Sequence, residues 1–155
     1  MAIRLEKDYS LDIPQQDVWD AMQDPEVLAE ILPNCKSLTS LGDDEFIANI
    51  EVKIGPIKSQ FKSTLSIIEK YPPDNYAFKL NGSGTKGHMS GKGSIKLTKN
   101  GTGTNLKFLA EGNVGGIIAR VGQRFIEATG KKLMDQGFEN FKQKLLTLES
   151  EQSTL

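Results

Sequence analysis

Alternation dominates the middle of this chain. Phe46, Ala48, Ile50, Val52 and Ile54 take every second position, with Glu45, Asn49, Glu51 and Lys53 between them and Ile47 as the one break. A period of two is the mark of a strand with one buried face. Gly55-Pro56 is a turn signal. Beyond it Ile57, Ser59, Phe61, Ser63, Leu65 and Ile67 alternate with Lys58, Gln60, Lys62, Thr64 and Ser66. A two-residue loop sets Ile54 opposite Ile57, and directly opposed residues share a sheet face, so the two apolar rows agree. Pro72-Pro73-Asp74 interrupts the chain, and Tyr76, Phe78 and Leu80 form the next inward row. Ser83-Gly84-Thr85-Lys86 reads as a loop, followed by Met89, Gly91, Gly93, Ile95 and Leu97 on a returning strand. Asn100-Gly101 is a hairpin signal, since a type I′ turn needs positive φ at both central residues. It predicts Leu97 opposite Thr104 and Ile95 opposite Leu106, with Leu106, Phe108, Ala110 and Gly112 completing the last strand.

The two ends of the chain change period. Ile3, Leu5, Tyr9 and Leu11 predict a first strand, and Pro14 opens a short helix over 14–23. Asp24 is placed as the N-cap of a second short helix with Pro25 at its first position, and Val27, Leu28, Ile31 and Leu32 form its apolar face. At the other end, 114–148 predicts one long helix. On a wheel of 100° per residue Ile118, Phe125, Ile126, Thr129, Leu133, Phe141 and Leu148 share one side with Gly115, Gly122, Gly130 and Gly137. Arg120, Arg124, Lys131, Asp135 and Lys142 fall opposite. The polar tail from Glu149 is expected to fray, so one domain over 1–150 with a frayed tail at 151–155 follows. The order is strand, two short helices, six antiparallel strands, long helix. An amphipathic helix has to bury its stripe, and a sheet with one apolar face offers the surface. The fold class is α+β.

Small residues interrupt the inward rows. Gly82, Gly87, Gly91, Gly93, Ala110 and Gly112 lie on the face of the bulky residues. Glycine inside strands marks bending, bulges or the close approach of something else. Within a helix each glycine costs about 1 kcal/mol relative to alanine. Small residues on both surfaces point either to a cavity between them or to a tight helix–sheet contact with no void. The pattern leaves both open.

Composition narrows the chemistry. At 155 residues the chain is one domain long, and about 68–70% of its unfolded surface can be buried. A net charge of −1 gives no overall field toward nucleic acid or anionic membrane. The one cysteine, Cys35, excludes an intramolecular disulfide and fits a reducing compartment. The first residues lack a signal-peptide apolar core, and no run of about 18 apolar residues could span a membrane, so the cytoplasm is the expected location. His88, the one histidine, falls on the outer strand face. Without a histidine beside it Cys35 reads as a small packed residue rather than a nucleophile. One His and one Cys cannot make a usual zinc set. Asp43-Asp44-Glu45 reads as a solvated turn. The run 82–87 lies between strands rather than before a helix, so it fails as a phosphate loop. Lys53, Lys58, Lys62, Lys92 and Lys96 line the outer sheet face among Glu51 and Glu69, without the aromatic ladder of a nucleic-acid platform. Arg120 and Arg124 read as solvent-facing, with an acidic partner as the alternative. The inward set holds no charged residue. Its polar members are Ser59 and Ser63, with Tyr76 placed at the rim, which suits an apolar guest rather than acid–base work.

Several blocks together carry a resemblance: Pro14 with Val18-Trp19, Asp24-Pro25-Glu26-Val27-Leu28, Leu32-Pro33-Asn34-Cys35, Gly55-Pro56-Ile57-Lys58 with Phe61, and Val114-Gly115-Gly116-Ile117-Ile118-Ala119 with Gly122. In this order, over nearly the whole chain, they resemble the CoxG family of carbon monoxide dehydrogenase accessory proteins, part of the START/SRPBCC, or pollen-allergen-like, superfamily. Asn34 departs from the family's usual Gly. The resemblance implies a helix-grip fold, a curved seven-stranded antiparallel sheet around the long C-terminal helix, with an apolar cavity between them. It also implies an accessory role beside aerobic molybdenum-containing carbon monoxide dehydrogenases and related hydroxylases, in membrane attachment or quinone carriage. Many members carry a longer C-terminal tail for the membrane. This chain is expected to stop too soon for that, which leaves a soluble carrier.

The expected function is therefore non-enzymatic binding of a hydrophobic small molecule, a quinone or lipid, with no cofactor, no metal and no nucleic acid. Phe61, Leu65, Phe78, Met89 and Phe108 on the strands are the expected lining, with Ser59 and Ser63 as hydrogen-bonding groups. Ile118, Phe125, Thr129 and Leu133 line it from the helix, and Leu28 and Leu32 lie near the entrance. The competing readings are a superfamily enzyme, a cyclase or hydrolase, and an assembly factor acting through its surface. Peripheral membrane contact stays open.

Overall fold

The computed structural model describes residues 1–32 and 34–153. Strand β1 (Ala2–Leu11) leads into helices α1 (Gln15–Met22) and α2 (Pro25–Ile31). Six strands follow: β2 (Cys35–Gly42), β3 (Glu45–Ile54), β4 (Ile57–Tyr71), β5 (Asn75–Gly84), β6 (Gly87–Asn100) and β7 (Gly103–Gly115). A 3-10 turn (Ile117–Val121) then joins the long helix α3 (Gln123–Ser153). All seven strands form one antiparallel sheet in the order β1-β7-β6-β5-β4-β3-β2.

Local chemistry sets the early elements. Asp24 caps α2 by accepting a 2.9 Å hydrogen bond from the Glu26 N–H, and Pro25 occupies the first turn, where its missing N–H costs nothing. Gly55, at φ +57°, and Pro56 make the β3–β4 turn, and Ile54 does face Ile57. The inward rows close on three apolar clusters. One gathers Trp19, Tyr76, Leu97, Phe141 and Leu145. A second gathers Val52, Ile54, Phe61, Val114, Ile118 and Ile126 at the end of the sheet where α3 begins. The third joins Leu28 of α2 to Phe46 and Leu65.

Two hairpins differ from the sequence reading. The β5–β6 turn is only Thr85-Lys86, because Gly84 already pairs with Gly87. The β6–β7 turn is Gly101-Thr102, one residue later than expected, so Leu97 faces Leu106 and Ile95 faces Phe108. Gly101 has φ +62° and Thr102 does not share it, so the turn takes Gly at its first central position, as type II′ does, and spares the β-branched threonine a strained φ. Sliding the turn by one moves the register by two and leaves every side chain on its predicted face.

The largest correction concerns the long helix. Residues 114 and 115 belong to β7, Gly116 (φ +85°) and Gly122 (φ +98°) bracket the 3-10 turn, and α3 starts only at Gln123. Gly115 is thus a strand residue opposite His88, not a helix-face glycine. At its far end α3 continues to Ser153, so the stretch from Glu149 expected to fray is helical that far; Thr154 and Leu155 lie outside the described residues. The helix lies closest to β1 and α2. There Tyr9 stacks on Phe138 at 4.1 Å and donates a 2.7 Å hydrogen bond to Asp135 Oδ1, and Leu5 fills the space a Gly130 side chain would need.

Candidate functional site

The expected lining divides among the clusters. Phe61 and Ile118 are fully buried in the cluster near the start of α3, with Met89 and Leu133 half-buried against it. Leu28 and Leu65 pack together beneath α2, and Phe78 touches that group from β5. Phe78 also meets Tyr76 and Phe108 at ring separations of 6.1 and 6.0 Å, which links the remaining cluster. Thr129 and Leu32 are half-buried. Phe125 is placed differently: it is 57% exposed, while its neighbour Ile126 turns inward. The late start of α3 explains this, since the face reckoned from Val114 does not carry through the 3-10 turn.

Several small residues prove to be sites of close packing. A side chain at Gly93 would run into the Phe78 ring, and one at Gly82 would meet Ser63 Oγ at 2.8 Å and Met89 Cγ at 3.3 Å. At Gly87 it would meet Ile118 Cγ1 at 2.6 Å. These glycines admit neighbouring side chains and do not by themselves open a cavity.

The middle of the inner face is nevertheless unsealed. Phe78, Leu80, Met89, Ile95 and Phe108 point inward from β5, β6 and β7, yet each keeps accessible surface. Leu80 and Ile95 belong to this group although the sequence reading did not single them out as lining. Their alternation with Lys79 and Lys96 is the signal that identifies them. A broad open depression of about 710 Å³ lies elsewhere, against Arg4, Lys79, Lys92 and Glu111, and touches none of the expected lining residues.

The polar groups within the inward rows are few. Ser59 and Ser63 are 4% and 1% exposed, and Ser59 Oγ is buried without a hydrogen-bond partner. Tyr76 is not at a rim: it is buried between Trp19 and Phe78, and burial pushes its phenol pKa well up, holding it neutral. Cys35 is half-buried, and burial raises its thiol pKa, against the smaller opposite effect of its contact with the Ser37 carbonyl at 3.2 Å. A raised pKa makes it a poor nucleophile. His88 is exposed on the outer face, its ring over Gly115. Among the described residues no cluster of three metal-ligating side chains occurs. No helix of the described residues is long and apolar enough to cross a membrane.

Comparisons with known proteins agree with this architecture. Residues 8–146 match the family model for CoxG, a carbon monoxide dehydrogenase component. No curated protein sequence matches the chain. Among solved structures, a conserved protein from Geobacillus kaustophilus superposes with a TM-score of 0.89 at 27% identity, covering 94% of this chain and 96% of its own. A START superfamily protein from Mycobacterium smegmatis gives 0.72 at 10% identity, over 94% and 98%. The Zhui aromatase/cyclase from Streptomyces sp. R1128 gives 0.67 at 14% identity, over 94% of each chain. The last two likenesses concern the fold alone.

Proposed function

The chain belongs to the carbon monoxide dehydrogenase CoxG family, and on that premise we propose that it is a non-enzymatic carrier of a hydrophobic small molecule, a quinone or a lipid. Its fold is one that typically binds hydrophobic ligands. The observation that carries the reading is the unsealed, uncharged middle of the inner face, formed by Phe78, Leu80, Met89, Ile95 and Phe108. A guest lying there buries apolar surface worth about 25 cal/mol per Å² and meets no charge to desolvate. Ser59 offers it one hydrogen-bonding group, since that hydroxyl has no partner within the protein. The molecule served is an aerobic carbon monoxide dehydrogenase-type molybdenum enzyme, to which the carrier brings or from which it takes its guest.

A superfamily cyclase or hydrolase would need an ionisable group facing the guest. His88 faces out, and the one phenol in the inward rows, Tyr76, is held neutral among aromatic rings. The carrier reading is tested by denaturing the purified protein and analysing the released molecules by mass spectrometry. An isoprenoid quinone or lipid in near-stoichiometric amount is expected. A protein that is empty, and that also fails to take up decylubiquinone or oleate, would sink the proposal. Co-purification with a large redox enzyme that survives such a failure would favour an assembly factor acting through its surface.

A further inference from the structure

Three segments meet at the end of the sheet where α3 begins. The β5–β6 turn is tied to the 3-10 turn by a 2.9 Å hydrogen bond from Ile118 N to Lys86 O. It is tied to the start of β4 by a 2.6 Å bond from Lys86 Nζ to Lys58 O. Two large apolar side chains stand out at this end, Ile117 at 46% and Phe125 at 57% exposure, each next to a residue that turns inward, Ile118 and Ile126. Gly116 and Gly122 hold the 3-10 turn between them at positive φ, which fixes Ile117 and Arg120 on a projecting knuckle.

The charge at this end has one sign. Segments 53–58, 84–88 and 112–126 contain Lys53, Lys58, Lys86, Arg120 and Arg124, and no Asp or Glu. Lys58 is paired with Glu51 at 2.9 Å. Arg120 and Arg124 are exposed and have no ion pair among the described residues. The acids that flank 112–126 in the chain are Glu111, held by Arg4 at 3.1 Å, and Glu127, which accepts from Gln123 at 2.9 Å. A chain with net charge −1 therefore carries a basic, apolar tip.

We propose that this tip docks on an anionic lipid bilayer, with Phe125 and Ile117 entering the headgroup region and Arg120 and Arg124 meeting the phosphates. Apolar groups ringed by basic ones match that surface on both counts: burial in the acyl boundary and attraction to negative headgroups. A folded protein partner would have to cover two isolated apolar side chains on a convex knuckle, whereas a bilayer deforms around them. The inference deepens the carrier reading and rests on it for its purpose, since Ile118 behind the knuckle packs in the same cluster as Phe61 and Met89. Docking there brings the interior next to the phase in which an apolar guest dissolves.

Co-sedimentation of the full chain with vesicles tests the proposal, using phosphatidylglycerol–phosphatidylcholine mixtures against pure phosphatidylcholine. Binding is expected to the anionic vesicles and to fall sharply in 0.5 M salt, as screening of exposed charges requires. Replacing Arg120→Gln and Arg124→Gln together should weaken it about thirtyfold, taking about 1 kcal/mol for each basic residue near the surface. Phe125→Ser should weaken it about tenfold or more. Lys99→Glu, at the opposite end of the sheet, should change it little. Circular dichroism confirms that each variant is folded, and Phe125→Trp supplies a direct readout, a blue-shifted emission on adding anionic vesicles. No binding, equal binding to neutral vesicles, or equal losses in the tip variants and Lys99→Glu would each overturn it. A protein that carries a guest yet ignores vesicles overturns this inference alone. One that binds vesicles and is always empty overturns the carrier reading alone.

Discussion

Ser59 sits opposite Val52 on the inward row, buried, with its hydroxyl unpartnered. Such a group costs about 1–3 kcal/mol relative to a satisfied or absent one. Ser59→Ala should therefore raise the unfolding free energy of the empty protein by about 1 kcal/mol in urea titrations. If a guest uses the hydroxyl, the same variant should bind decylubiquinone, which has carbonyl oxygens, up to about tenfold more weakly. Its affinity for a plain hydrocarbon of similar size should not change. A variant less stable than the parent would show that the hydroxyl is bonded within the protein and would remove it from the site. Strand parity was enough to place Ser59, Ser63, Phe61 and Met89 on the inner face from the sequence. Parity does not say whether a hydroxyl finds a partner, or that the Phe78 ring occupies the space beside Gly93. Those outcomes depend on rotamers and on strands distant in the chain.

The elements were legible wherever a short-range rule fixes them. Asp24-Pro25 started α2 and Gly55-Pro56 turned β3 into β4 as their chemistry requires. The junction before α3 was not legible, because Ile118, Phe125 and Ile126 keep a helical spacing across a segment that is not α-helical throughout. Gly116 and Gly122 fell on the wheel's apolar side by coincidence; their role is backbone conformation, not facing. This difference has a sign that can be measured. Gly122 has φ +98° and ψ +155°, a region that only glycine enters easily, and nothing lies within 4 Å of a side chain placed there. Gly122→Ala should cost about 1–3 kcal/mol from backbone strain alone. Inside a continuous helix the same change would instead stabilise by about 1 kcal/mol. Chemical denaturation separates the two cases, and stabilisation would contradict the bracketed 3-10 turn.

For the whole molecule, the sheet order and its inner face follow from antiparallel hairpins and one strand returning beside β7, but the distance between the long helix and the middle of the sheet does not. Periodicity says that α3 must cover something. It does not say that α3 lies closest to β1 and α2 while inward residues of β5–β7 keep accessible surface. If that surface is the guest's place, stability should depend on occupancy. A ligand at a hundred times its dissociation constant adds about 2.7 kcal/mol to the unfolding free energy. Ala110 tests where that ligand lies: it is half-buried on the inner row, between Gly93 of β6 and Leu5 of β1. Ala110→Phe should fill the open interior in place of a guest. The empty variant should stay folded, with a change no larger than the roughly 1–3 kcal/mol typical of overpacking. It should lose the stabilisation by decylubiquinone or oleate that the parent shows in thermal melts. Retention of the full ligand-induced shift in Ala110→Phe would place the guest away from the inner face. Collapse of the empty variant would mean that the inner face is already closed.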